Sequence, residues 1–429
     1  MRSVGELILY RNFAEKTVFA DMADLMRRFA GGAVREMDEE RSLLAQCIKE
    51  LIETAECCGF SGNLWQGFLA LFLAENENAY SLACELRGAA SPSVTAVARH
   101  DFSILLEYFQ FDLGSLLDFF GMDCKEAVLA YEAGEGHVFG REVRGGLAAL
   151  CKGLVRAADA EEFCAEVTRF YQRFGVGALG LHQAFGIESC GEDVQIVPLG
   201  FAGGEQLCDV IGYERAKKKL VENTESFLNG RRANNCLLYG AAGTGKSTSV
   251  KALANHYYGR GLRIIEVYKH QLGSLRGLIA RLRNRNYKFI LYMDDLSFEE
   301  FEVEYKYLKA LIEGGLEKKP DNLLIYATSN RRHLIRENFS DKGERGEDMH
   351  AGDTVQEKLS LSARFGVTIY YGEPDKKEFE EIVRALAKKH QLTINEETLL
   401  SEANRWELSH GGRSGRAAQQ LIDHLLGRP

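Results

Sequence analysis

From Ser3 to about Gln183, apolar residues recur at helical spacing, as in Asp38 to Ala55 and Asp101 to Phe120, with Gly-containing turns between the stretches. The pattern predicts a series of amphipathic helices. Glu161 to Phe174 continues it and leads into Gly175-Val176-Gly177-Ala178-Leu179-Gly180, which fits G-x-G-x-x-G. A dinucleotide site needs that motif after a strand, and here it follows a helical pattern, so the expectation is a glycine-permitted bend between helices. Glu192 to Glu205, with Pro198 and several glycines, predicts an extended connection. The domain boundary is expected near residue 190.

Beyond that point the period changes. Short apolar, β-type runs at Cys236 to Tyr239, Arg263 to Lys269, Lys288 to Asp294, Asn322 to Ser329 and Val367 to Tyr371 alternate with helical patterns. Continuous apolar strands alternating with helices predict an α/β domain with a parallel five-stranded sheet, covered by helices on both faces. Ligands of such sheets bind at the carboxyl ends of strands.

Candidate chemistry falls at those ends. Gly240-Ala241-Ala242-Gly243-Thr244-Gly245-Lys246-Ser247 matches every fixed position of G-x-x-x-x-G-K-[ST], between the apolar run Cys236 to Tyr239 and a helix from Thr248 to Tyr258. The glycines allow backbone N–H groups to turn around phosphates, Lys246 supplies charge, and Ser247 opens the helix where a phosphate-bound Mg²⁺ needs an oxygen. Binding of a nucleoside triphosphate follows as the expectation. Phe289 to Asp295 is an apolar strand that ends in two carboxylates. Asp294 is the candidate to orient the metal's water shell and Asp295 to polarise the attacking water. Neighbouring side chains on a strand point to opposite faces, so both can serve only where the strand is ending, as Leu296-Ser297 implies. The next strand terminates at Asn330, whose amide could position that water or sense the γ-phosphate.

Composition narrows the classes. At 429 residues, 45% hydrophobic and 27% charged, the chain fits a globular protein of more than one domain. No run of about 18 apolar residues is present, and Met1 to Ala20 is interrupted by Arg2, Glu6, Arg11, Glu15 and Lys16, so a cytoplasmic protein without membrane contact is expected. The ten cysteines include no C-x-x-C pair and no Cys/His ligand spacing, which predicts reduced thiols and no structural metal. A net charge of −9 argues against a protein that coats nucleic acid. The densest basic group, Arg276, Arg281, Arg283, Arg285 and Lys288, reads as a solvated helix end or, alternatively, a local nucleic-acid patch. Arg331 to Ser360 is long for a connection and reads as a solvated loop or as one ordered by a neighbouring subunit.

Together these segments resemble the AAA+ ATPases over about Leu207 to Leu426. Val210-Ile211-Gly212-Tyr213 resembles the adenine-side segment, Gly240 to Thr248 the Walker A loop with the start of its helix, Leu291 to Asp295 Walker B, and Asn330 sensor 1. Leu361 to Gly366 looks like the segment that carries the arginine finger, here Arg364. Gly411 to Ala418 is similar to sensor 2, which falls on Arg413 or Arg416, with Arg416 preferred because Ala418 and Leu421 follow at the usual packing spacing. Walker B commonly ends Asp-Glu and here ends Asp294-Asp295. Within the superfamily, Asn223 to Leu228, Asp294 to Phe298 and Ala327 to Leu334 most resemble a bacterial family catalogued as a domain of unknown function (family 815).

The resemblance implies a P-loop AAA+ domain over 191–372 and a C-terminal helical lid over 373–429, preceded by an all-α N-terminal domain of unknown role over 1–190. It further implies ATP and Mg²⁺ as ligands, and hydrolysis coupled to remodelling or loading of a protein or nucleic-acid client. A homo-oligomer is implied as well, with Arg364 acting in trans. Two alternatives stay open: a slow or non-hydrolysing nucleotide-dependent switch, and a DNA-associated loader or transposition helper.

Overall fold

The computed structural model describes the chain except for residues 12–16, 35–36, 135, 191–192, 201–205, 300–301, 303, 314–318, 333, 336–360, 411 and 429. Two compact units divide it, Met1–His182 and Gln183–Pro429. Most of the long loop expected at Arg331 to Ser360 lies outside the described residues.

The first unit is helical, as its periodicity predicts. The expected helix from Asp101 to Phe120 instead begins at Pro92 and ends at Phe109, because Ser91 caps its first turn and Asp112 starts a second helix, Leu113–Phe119. Gly175 and Gly177 adopt positive φ, 79° and 67°, and join helix Ala160–Phe174 to the short helix Gly177–Leu181. The carboxylate of Glu85 accepts the Val176 N–H at 3.0 Å, so an acid occupies the turn where a pyrophosphate would sit.

A single sheet organises the second unit. Its strands are β1 (Ala184–Cys190), β2 (Asp193–Pro198), β3 (Cys236–Gly240), β4 (Leu262–Glu266), β5 (Lys288–Met293), β6 (Leu323–Ser329) and β7 (Val367–Tyr371), in the spatial order β2-β1-β4-β5-β6-β3-β7. The five expected strands are there and mutually parallel, but the sheet has seven. The two extra strands form an antiparallel hairpin whose β1 runs parallel to β4 at the sheet edge. β2 replaces part of the extended connection expected at Glu192 to Glu205, and β1 precedes it. An edge hairpin alternates buried and exposed residues, as Phe185 and Ile187 do with Gly186 and Glu188 between them, and so lacks the continuous apolar run of a central strand.

β5 and β6 are apolar and buried on both faces, which leaves polar groups only where they end. One face packs on helices Glu214–Leu228 and Lys246–Tyr257 through Leu220, Phe227, Val250, Leu253 and Tyr257. After β7 the helices Lys376–Lys389, Glu396–His410 and Gly415–Leu426 form a separate bundle around Phe379, Val383, Leu399, Ala418, Leu421 and Ile422. Ile211, from the segment before helix Glu214–Leu228, packs against that bundle. No described helix is long and apolar enough to cross a membrane.

Candidate functional site

Strand register sets the site. Tyr239 of β3 lies beside Ser329 of β6, and Ala327 of β6 beside Met293 of β5, so the glycine loop, the acidic pair and Asn330 leave the sheet at one level. β3 lies between β6 and β7 while its chain continues to β4, two strands further away than β6, and this reversal opens a crevice at the strand ends. A cavity of about 840 Å³ occupies it.

The loop after β3 depends on glycine at three points. Gly240, Gly243 and Gly245 have φ of 141°, 74° and 86°. A Cβ at Gly240 would run into the Tyr371 carbonyl; one at Gly243 would lie 3.0 Å from Ser414 Oγ, and one at Gly245 3.0 Å from Val210 Cγ1. Ala242 to Thr248 line the cavity. Lys246, 6% exposed, folds back so that Nζ donates to the carbonyls of Gly240 (2.9 Å) and Ala241 (2.6 Å) and to Asn330 Oδ1 (3.2 Å). Burial pulls its ammonium below the usual lysine range, Asp295 and Asp294 pull it back, and Arg416 adds to the lowering.

The acidic pair is held from three sides. Ser247 Oγ donates to Asp294 Oδ1 at 2.7 Å, and the Thr328 hydroxyl donates to the same oxygen. Burial pushes the Asp294 carboxyl upward, but the bonds from Thr328 and Ser247 outweigh it and hold the group below its ordinary range. Asp295 turns into the left-handed region, φ 47°, which ends the strand as the sequence implies. Its N–H donates to Thr328 Oγ1 at 2.9 Å and its Oδ1 accepts from Asn330 Nδ2 at 2.7 Å. Asn330 thus joins Lys246 to Asp295. The hydroxyl of Tyr292 is buried near Ser247, Asp294 and Thr328.

Ile211 and Tyr213 line the opposite wall, with Gly212 (φ 75°) and Tyr213 (φ 57°) forming the turn between them. Tyr213 stacks on Tyr371 at 5.2 Å and donates its hydroxyl to the Gly372 carbonyl at 3.0 Å; burial raises it to about 12. The C-terminal bundle closes the cavity with Ile382, Leu386, Lys389, Arg416 and Gln419, and the Arg416 N–H donates to the Gly243 carbonyl at 3.2 Å.

Of the residues expected from sequence, Asp294, Asp295, Asn330 and Arg416 face the cavity together with Lys246 and Ser247. Gly240 and Ala241 contribute carbonyls to Lys246. Arg413 turns away to pair with Glu407 at 2.7 Å. Arg364, partly buried in the turn after Leu361, is not among the lining residues. Sequence reasoning did not single out Thr328, whose signal is a hydroxyl one position from the end of an otherwise apolar strand. Nor did it pick Asp209 and Lys389, which pair at 2.6 Å, or Ile382, Leu386 and Gln419. Their spacing on helices reads as core packing. In the basic group, Arg276, Arg281, Arg283 and Arg285 all have partners, and Lys288 lies over the Phe227 ring. Among the described residues no group of three or more His, Cys, Asp or Glu could hold a metal by itself.

The model of the family described as "Protein of unknown function (DUF815)" matches residues 182–429, which include every cavity-lining residue. Over 64 residues the chain is 41% identical to the replication factor C large subunit of Staphylothermus marinus, covering 15% of this chain and 14% of that protein. Over 53 residues it is 42% identical to the same subunit of Methanococcus maripaludis, covering 12% and 11%. Among solved structures it is similar to the Thermotoga maritima RuvB Holliday junction branch migration motor, with 19% identity, a TM-score of 0.35, and coverage of 51% of this chain and 63% of that one. The chain therefore spans about one seventh or less of the curated relatives' length.

Proposed function

The chain belongs to the family described as Protein of unknown function (DUF815), and from that premise we propose that it is an AAA+ ATPase, binding ATP with Mg²⁺ in the cavity of about 840 Å³. One observation carries the reading. Lys246, Ser247, Asp294, Asp295, Asn330 and Arg416, brought from four separate stretches, line one cavity beside a glycine loop that fits a phosphate chain.

The residues fit the ligand. Gly243 and Gly245 leave a cradle that a Cβ would fill. Ser247 and Asp294 offer only two protein oxygens, which suits a small hard cation that keeps waters and phosphate oxygens. Mg²⁺, when bound, would neutralise phosphate charge. Lys246 would exchange its loop carbonyls for phosphate oxygens, and Asp295, oriented by Asn330, would accept a proton from the attacking water. Arg416 would report the γ-phosphate to the C-terminal bundle, whose N–H bond to Gly243 ties it to the loop, so that the bundle acts as a lid. Arg364, outside the cavity, would reach the site of a neighbouring copy, making the chain a homo-oligomer.

A slow switch is favoured by one detail: the carboxylate of Asp295 is already held by Asn330, and its side chain is one methylene shorter than Glu. The relatives' names speak of replication and of branch migration; for this chain the client is a protein or a nucleic acid. Phosphate release by the wild type and Asp295→Asn, with ATP binding measured in parallel, tests the reading. The variant is expected to bind ATP and to turn it over about 10²- to 10⁴-fold more slowly. Equal rates would remove Asp295 from the role of base, and binding without turnover in the wild type would leave the switch.

A further inference from the structure

We infer that Thr328 is a positioning residue for the acidic pair, setting the metal side and the water side of the site through one hydroxyl. The inference rests on the ATP-binding reading above. Thr328 is 1% exposed on β6, one residue beyond the Ala327–Met293 rung, which brings it level with Asp294. A threonine hydroxyl has one proton to give. Here that proton goes to Asp294 Oδ1, and the oxygen then accepts the Asp295 N–H at 2.9 Å. Both roles of the hydroxyl are used, and each falls on a different carboxylate residue.

Two consequences follow. The described hydrogen bonds to Asp294, from Thr328, from Ser247 at 2.7 Å and from the Asp295 N–H at 3.2 Å, all fall on Oδ1, so Oδ2 would be the oxygen left for a metal's water shell. The bond to the Asp295 N–H also holds that residue at φ 47°, a conformation unfavourable for a non-glycine residue, and so aims its side chain at Asn330. Branching at Cβ restricts χ1, so threonine fixes the hydroxyl where serine leaves it freer to rotate. Valine has nearly the same shape but can neither donate to Asp294 nor accept from Asp295.

Calorimetric titration of ATP, once in MgCl₂ and once in EDTA, into the wild type, Thr328→Val, Thr328→Ala and Thr328→Ser tests this, with turnover and thermal unfolding measured on the same preparations. The expected result is that Val and Ala keep the metal-free affinity but lose the gain that Mg²⁺ confers, and turn over about 10- to 100-fold more slowly, while Ser stays near the wild type. Thr328→Ala keeps the test open where Val fails to fold. A purely structural residue would lower the unfolding temperature and leave the metal dependence intact, and that result would overturn the inference. So would losses in Ser and Ala that spare Val, which would trace the effect to volume instead of the hydroxyl. A wild type that binds no ATP would instead overturn the functional reading on which the inference stands.

Discussion

Both units bury polar groups, but they use them differently. In Met1–His182 the networks around Asp101 and Tyr171 close inside the fold. Asp101, 0% exposed, accepts the N–H groups of Ile8 (3.0 Å), Leu9 (2.7 Å) and Tyr10 (3.0 Å), and so ties the N-terminal segment to helix Pro92–Phe109. Tyr10 and Tyr171 share a hydroxyl contact at 3.1 Å, and Tyr171 donates on to the Leu73 carbonyl at 2.7 Å. In Gln183–Pro429 the buried Lys246 and Thr328 and the exposed Asp294 and Asn330 are also bonded, yet their contacts run along the wall of a cavity. Burial of polar groups does not by itself mark a functional site. The distinction lies in whether the network is completed inside the fold or opens onto space that a ligand can enter.

The sharpest way to break this contrast is in the first unit. Asp101→Asn keeps one acceptor but removes the charge and the second carboxylate oxygen, leaving backbone N–H groups short of a partner. It is expected to cost roughly 3 kcal/mol of stability in the helical unit, visible in calorimetric unfolding, with ATP affinity unchanged where the protein is folded. A loss of affinity without a loss of stability would show that the network serves the ligand site after all.

Much of the second unit was legible because central parallel strands are apolar throughout and their polar ends stand out. Cys236 to Tyr239, Lys288 to Asp294 and Asn322 to Ser329 are of that kind, and each leads to a cavity residue. The hairpin of β1 and β2 was not legible, since its alternation of Phe185 and Ile187 with Gly186 and Glu188 carries the weak signal of an edge. Ile382 and Leu386 line the cavity and also belong to the bundle's core, so their helical spacing conveys only the second fact. Thr328 gave no motif signal, because its importance arises from the register of β5 and β6 and not from its neighbours in sequence.

A smaller effect sharpens the comparison from the second unit, away from the cavity. Lys319 donates to Asn235 Oδ1 at 3.0 Å, and burial, opposed by Asp321, lowers it to about 8. The unfolded chain keeps this proton up to about 10.5. Between the two values the unfolded state binds more protons, so Lys319 contributes a rise in stability with pH, about 1 to 2 kcal/mol between roughly pH 7.5 and 9.5, while the buried thiols of Cys47, Cys151 and Cys236, pushed up by burial, contribute with the opposite sign. Denaturant unfolding over that range is expected to show the stability of the wild type gaining by that amount on that of Lys319→Met, where Asn235 Oδ1 still accepts the Ile325 N–H at 3.0 Å. Parallel profiles would remove Lys319 as the source.

The central claim is that the network opening onto the cavity exists to hold a nucleotide, and Lys246 is its only ammonium in the glycine loop. Calorimetric titration of Mg·ATP into the wild type and Lys246→Ala, with thermal unfolding of both, tests it most directly. The account predicts binding by the wild type and no measurable binding by the variant, with a fold that persists because the loss is confined to the bonds from Lys246 to the Gly240 and Ala241 carbonyls and to Asn330. ATP binding by Lys246→Ala with the affinity of the wild type would contradict it.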